Sequence, residues 1–341
     1  MPTIGLISES KPSQWLRYFQ EGEPTWKDAR FKFEGDFSDC DIVFVYDAVP
    51  KHLCGTIKHE KFIFLAAEPP SIKKYSDVFL SQFSLVYSVD QSIRHPNLLI
   101  GRMPALWHIG LWNADGRLLD RPLGLNDFKQ LNVKKSKNVS VISSSKSYSL
   151  GHRARLEFVD KVKDYFGNDI DVFGRGRKSF GDKIEVIPQY RYHIALENSY
   201  YYDYWTEKLS DAFISQSYPI YNGCPNVLEY FSKSQISTIN IRDIEGSIMK
   251  IKRLIESDLS EISASDLKLA RDKILLEYNI INLLWDLAKS TTRQEDNTRK
   301  IQLFSENYCK KFPSSYLRHA SFTVRSLAKR VISSAAAILP R

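Results

Sequence analysis

The densest grouping of residues able to do chemistry lies in Gln189–Gly223, QYRYHIALENSYYYDYWTEKLSDAFISQSYPIYNG. Its polar centre holds Glu197, Asn198, Ser199, Tyr204, Glu207 and Lys208. Asn198 and Ser199 offer short side-chain donors, Glu207 can accept hydrogen bonds from ribose hydroxyls, and Lys208 can neutralise phosphate charge. The apolar stretch HIALEN reads as a strand, the tyrosine-rich run as a loop, and Thr206 as the start of a helix. Strand–loop–helix carries the loop and the first helical turn to the carboxyl edge of a sheet, where open α/β folds bind ligands. The unpaired amides and positive dipole end of such a helix suit a phosphate or diphosphate. The plainer reading is local. Thr206 then merely caps a helix with Glu207 in its first turn, and the tyrosines form a packed surface loop.

The elements that must position these residues alternate in type. Candidate strands run over 3–8, 41–47, 61–68 and 85–90, then over 139–144, 171–174, 193–198, 219–221 and 237–241. Continuous apolar runs such as IVFVY and FIFLAA suit strands covered on both faces, as in parallel sheets. The clearest helical stretches are 153–165, 206–216 and 247–256. Two successive sets of strand–helix units imply an α/β chain of two Rossmann-like, doubly wound domains facing a cleft. The polar, weakly periodic segment 113–137 is the expected boundary. The expected organisation is a first domain over 1–125, a second over 138–290 and a helical tail over 291–341.

The quoted segment resembles glycosyltransferase family 10, the α-1,3-fucosyltransferases, whose string is FxLxFENSxxxDYxTEKxxxAxxxxxxPVxxG. Here it stands as YHIALENSYYYDYWTEKLSDAFISQSYPIYNG, with ENS at Glu197–Ser199 and DY-x-TEK at Asp203–Lys208. PIYNGCPNV at Pro219–Val227 is similar to bacterial members. Upstream, GHRARLEFVDKV (Gly151–Val162) looks like the family's arginine-bearing helix. The family pattern puts the diphosphate-contacting arginine at Arg155, with Arg153 as the nearby competitor; a guanidinium fork holds two phosphate oxygens together. DVFGR at Asp171–Arg175 also matches a family segment.

The resemblance implies GT-B architecture and an inverting transfer of fucose from GDP-fucose to a saccharide hydroxyl. The donor would be held by Arg155, Glu197, Asn198, Ser199, Tyr204, Glu207 and Lys208. It further implies a catalytic base in FLAAEPPSI (Phe64–Ile72), where family members carry a glutamate before proline. Glu68 ends an apolar run and meets Pro69–Pro70, which stop a strand and hold the carboxylate at a sheet edge. Partial desolvation there would make it a better base near neutral pH. An ordinary strand-ending glutamate is the alternative. Another donor sugar on the same fold, or a non-catalytic nucleotide- or sugar-binding protein, are the rival functions.

Other signals point elsewhere. Asp169 and Asp171 form a D-x-D that starts a strand, and Gly174–Gly176 lacks the third glycine of a dinucleotide fingerprint. His95, His108 and His193 read as structural or surface residues rather than ligands. Cys40, Cys54, Cys224 and Cys309 lie far apart, suiting a reducing compartment and neither a disulfide framework nor zinc. No cofactor and no divalent metal are expected. With 43% hydrophobic and 26% charged residues the 341-residue chain is ordinary for a globular protein. It has no apolar run long enough to span a bilayer, and its opening residues lack a secretory pattern.

Net charge is +8, yet five basic residues and no acidic one fall in 316–341, leaving three over the rest. That is a poor footprint for nucleic acid. On a helical wheel Leu317, Val324, Leu327, Ala328, Val331, Ala335 and Ile338 oppose Arg318, Arg325 and Lys329, with Phe322 and Ile332 intruding on the charged side, and the tail is expected to lie on an anionic membrane. Packing on protein is the alternative. The expected setting is the cytoplasm, at the inner face of a bacterial inner membrane, with a lipopolysaccharide-type glycan or glycolipid acceptor.

Overall fold

Two sheets carry the chain's apolar runs. The computed structural model describes residues 1–50, 54–55, 62–104, 106–143, 150–291 and 301–311. The chain divides into two units, Met1–Pro104 with the segment from Ile280 onward, and Ala105–Asn279. The basic stretch expected over 316–341 lies outside the described residues.

The first unit contains β1 (Thr3–Ile7), β2 (Thr25–Trp26), β3 (Ala29–Lys32), β4 (Ile42–Tyr46), β5 (Cys54–Gly55), β6 (Phe62–Leu65), β7 (Leu85–Ser88) and β8 (Leu98–Ile100). Seven of these form a sheet in the order β2-β3-β1-β4-β6-β7-β8, parallel except for the β2–β3 hairpin. Val43, Phe44, Val45 and all of β6 are buried, as their unbroken apolar runs require in a sheet covered on both faces. Phe64 packs on Tyr75, Phe79 and Phe83 with ring centroids 4.9–5.2 Å apart. The helix Ile280–Ser290 belongs to this unit. Trp26 Nε1 donates to Asn282 Oδ1 at 3.1 Å and Trp285 Nε1 to Asp28 Oδ1 at 2.7 Å, so it is stitched to the hairpin.

The second unit contains β9 (Lys137–Ile142), β10 (Ile170–Phe173), β11 (Tyr190–Leu196), β12 (Tyr218–Asn222) and β13 (Ser237–Thr238). They form an all-parallel sheet in the order β10-β9-β11-β12-β13. From β9 the chain first adds β10 on one flank, then returns to add β11 on the other. The crevice beyond the carboxyl ends of β9 and β11 is therefore the unit's topological switch point. The helix Leu150–Phe166 follows β9 in sequence and Glu207–Ile214 follows β11.

One boundary differs from expectation in a way that matters. The run 61–68 was expected to be strand up to Glu68, but β6 ends at Leu65. Its neighbours run out there: β4 pairs with it only to Tyr46↔Leu65, and Asp47 turns away with φ 63°. Glu68 thus stands in the loop beyond the sheet edge, partly buried. Among the described residues no helix is long and apolar enough to cross a membrane.

Candidate functional site

The residues singled out in 197–208 meet at the switch point of the second sheet. β11 delivers Glu197, Asn198 and Ser199 just past its last residue, and the Glu197 amide donates to Asn222 O at 2.9 Å, carrying the pairing with β12 one residue further. Arg155 is buried and comes from the Leu150–Phe166 helix; its guanidinium donates to Asn198 Oδ1. Arg153 is exposed. The structure therefore brings Arg155, and not its competitor, to the strand end.

Glu197 has no side-chain exposure. Its Oε1 accepts the Thr206 amide and its Oε2 the Thr206 hydroxyl, both at 2.7 Å, and Lys208 Nζ stands 3.4 Å from Oε2. Burial pushes the Glu197 carboxyl up, with Glu207 adding to it, against the pull of Lys208 and the Thr206 bonds. This carboxylate ties the strand end to the helix start, so it sets where the helix amides point. Thr206 caps the helix in the expected way, its hydroxyl 3.4 Å from the Lys208 amide.

Glu207 and Lys208 pair directly at 2.9 Å, with side-chain exposures of 19% and 22%. Burial raises Glu207, but Lys208, His108 and Lys183 outweigh it and hold the carboxyl well below its usual range. Burial lowers Lys208, but Glu207 and Glu197 outweigh it and push the ammonium up. Lys208 is thus firmly charged, largely enclosed between two carboxylates, with the Arg155 guanidinium within electrostatic reach of both. Two cations, Arg155 and Lys208, thus stand at one helix start.

The tyrosine-rich loop is held by residues to which the sequence reading gave no role. Asp203 adopts φ 60°, a left-handed conformation that aspartate tolerates better than most side chains. Its amide donates to Asn226 Oδ1 at 2.9 Å, and its Oδ1 accepts from Asn226 Nδ2 at 2.7 Å and the Tyr230 hydroxyl at 2.6 Å. Trp205 is packed among Tyr230, Phe231 and Tyr278 at 5.5–5.9 Å. Tyr204 is buried, whereas Tyr200 and Tyr202 project into solvent. Gly223 is required by close approach. A Cβ there would lie 2.4 Å from Glu197 Cγ and 2.4 Å from the Tyr221 hydroxyl.

A second support comes from Asp211, one helical turn beyond Glu207 and fully buried. Lys183 Nζ donates to its Oδ2 at 2.7 Å and the His108 amide to its Oδ1 at 3.1 Å. That spacing of four from Glu207 was the available signal, a carboxylate sharing one helix face with the site.

Elsewhere, Asp171 of the D-x-D is taken up by the Tyr190 hydroxyl, Lys178 and Lys137. His193 is buried with Nδ1 2.9 Å from Ser140 Oγ, and burial pushes it down to about 3. His95 accepts the Asn97 amide at 3.1 Å. Among the described residues no group of three or more His, Cys, Asp or Glu could hold a metal ion. In the first unit, Glu68 lies near Tyr75: burial raises the phenol's pKa, Asp47 adds to it, and the Glu68 charge contributes. Lys73 Nζ and the Tyr75 hydroxyl both bind Asp47 at the same sheet edge.

Part of the chain is similar to known proteins. Residues 132–256 match the family model described as Glycosyltransferase family 10 (fucosyltransferase) C-term. The chain is 36% identical over 74 residues to an alpha-(1,3)-fucosyltransferase FucT from Helicobacter pylori, covering 21% of this chain and 16% of that protein. It is 33% identical over 88 residues to a putative fucosyltransferase-like protein from Arabidopsis thaliana, covering 25% of this chain and 17% of that one. The matches thus span under a fifth of those relatives' lengths. A solved alpha1,3-fucosyltransferase with GDP-fucose is 16% identical over 93% of this chain and 91% of its own, with a TM-score of 0.43.

Proposed function

We propose, from the match of residues 132–256 to the model of glycosyltransferase family 10, that this chain is a member of that family and an inverting enzyme of GT-B type moving fucose from GDP-fucose to a saccharide hydroxyl. The observation that carries this reading is the convergence of Arg155, Asn198, Glu207 and Lys208 on one helix start at the switch point of the second sheet.

The chemistry assigned to these groups follows from their charge. Arg155, Lys208 and the positive end of the helix dipole hold the donor's diphosphate and stabilise the negative charge that develops there as the sugar bond breaks. Glu207 accepts from ribose, while Asn198, Ser199 and Tyr204 line the same pocket. Glu197 contributes by fixing Thr206 and Lys208. The acceptor oxygen attacks the anomeric carbon and its proton goes to Glu68. The bond from that carbon to phosphate oxygen breaks, its electron pair leaves with GDP, and the single displacement turns a β-linked donor into an α-fucoside. None of these residue roles calls on a metal or other cofactor. Donor binding is assigned to the Ala105–Asn279 unit and acceptor binding to the unit that holds Met1–Pro104. The tail over 316–341 would keep the enzyme peripheral on the cytoplasmic face of a membrane, near a lipid-linked glycan.

The test is Glu68→Gln. Transfer is expected to fall about 10²–10⁴-fold, the usual range for removing a general base, with GDP affinity by calorimetry unchanged. Retention of most turnover would falsify the assignment of the base.

A further inference from the structure

The segment Trp107–Trp112 runs over the second unit as a loop, yet it is fastened there by two buried carboxylates. Asp182, 2% exposed, accepts the amides of Gly110 at 2.6 Å, Leu111 at 2.9 Å and Trp112 at 2.8 Å. Asp211 accepts the amide of His108 at 3.1 Å and is itself neutralised by Lys183 at 2.7 Å. Gly110 lies at φ 70°, where a Cβ would also strike Leu123 at 2.6 Å. Four backbone donors and a left-handed glycine are thus committed to one short stretch. What that stretch presents is the His108 imidazole, 48% exposed, with Nδ1 4.0 Å from Glu207 Oε1.

We propose that His108 belongs to the nucleotide site: its imidazole takes up a proton from solvent and donates a hydrogen bond to the diphosphate of the bound nucleotide. This rests on the donor-site reading given above. Imidazole has its two nitrogens on different edges, so with Nδ1 toward Glu207 the Nε2 edge is turned away from that carboxylate. A ring bridging a carboxylate and a phosphate is most stable as the imidazolium, with both nitrogens donating. The groups facing it are Glu207, Lys208 and Asp211 from the Glu207 helix and Lys183 from the neighbouring turn. Partial burial and the two lysines outweigh the two carboxylates and hold the ring below its ordinary value. A diphosphate adds negative charge beside it and raises that value. Binding aided by His108 is then fully present below the free pKa and lost as pH rises through the higher, bound one.

The test uses the full chain and GDP. Calorimetric titration in two buffers of different ionisation heat measures proton uptake, and His108→Gln supplies the nucleotide's own contribution as reference. Wild type is expected to take up more protons at pH 7 than His108→Gln. His108→Ala should weaken GDP about tenfold at pH 6 and about twofold or less at pH 8.5, as for loss of one charge-assisted bond. Melting temperature should be retained, because the backbone amide of His108, and not its ring, holds Asp211. Equal affinity and equal proton uptake in wild type and both variants would overturn the proposal. If Lys208→Ala loses GDP while His108→Ala does not, this inference falls alone. If wild type fails to bind GDP, the donor site itself falls with it.

Discussion

Lys208 and Glu197 divide the labour at this site in a way their shared polarity conceals. One is a cation that keeps some contact with solvent, the other a carboxylate wholly enclosed and bonded by both its oxygens to Thr206. The distinction predicts different outcomes on substitution. Thr206→Val removes the hydroxyl donor and leaves one oxygen of a buried carboxylate short of a partner, a change that costs about 1–3 kcal/mol. Urea unfolding should show that loss, together with weaker GDP binding as the helix start loosens. Lys208→Ala should instead weaken GDP while leaving the fold comparatively stable. A Thr206→Val protein as stable as wild type would mean that Glu197 does not hold the helix start.

At the scale of elements, the strand end, the loop and the helix start form one assembly, tightened from behind by β12 and the turn that follows it. Gly223 lets the turn approach Glu197, so Gly223→Ala must displace Glu197 as well as Tyr221, both buried. Overpacking of that kind costs about 1–3 kcal/mol, and here it should also reduce GDP affinity, because Glu197 is what would move. Asp203 tests the loop anchor. Asp203→Ala loses the two hydrogen bonds its carboxylate accepts and places alanine at φ 60°, whereas Asp203→Asn keeps the backbone preference and some of the bonding. The expected order of melting temperature is wild type, Asp203→Asn, then Asp203→Ala; equal values for the two variants would remove the strain argument.

Across the whole molecule, buried bases make stability depend on pH. Burial pushes His193 from 6.5 down to about 3, so the folded protein keeps it neutral where the unfolded chain would protonate it. Stability from this source is present above pH 6.5 and lost as pH falls from there toward 3. Burial also pushes Lys135 down to about 7, with Nζ 2.7 Å from Ser215 O, so between pH 7 and its ordinary 10.5 the unfolded chain again binds more protons. Both contributions have the same sign: unfolding free energy rises with pH through each window. Urea titrations at pH 5, 7 and 9 should show the rise, and His193→Asn should flatten the acid limb; an unchanged slope below pH 6.5 would exclude His193 as its source.

Much of this was legible in the chain itself. Unbroken runs such as IVFVY and FIFLAA, set between polar turns, require strands covered on both faces, and a capping threonine followed by Glu207 and Lys208 starts a helix whatever surrounds it. Local chemistry therefore determined the alternation of elements, the parallel sheets and the crowding of polar groups after β11. It did not determine which partner each group would find. That Arg155 reaches Asn198 while Arg153 is exposed, that Glu197 turns inward, and that Glu68 stands beyond the last ladder pair of β6 depend on where neighbouring strands stop. The helix at 280–290 makes the same point: chain order sets it after the second sheet, yet its tryptophan and asparagine pair with the first unit's hairpin. His108 shows the limit best, since nothing near it in sequence marks it; two carboxylates more than seventy residues away set its place beside Glu207, and long-range pairing of that kind exists only once the chain has folded.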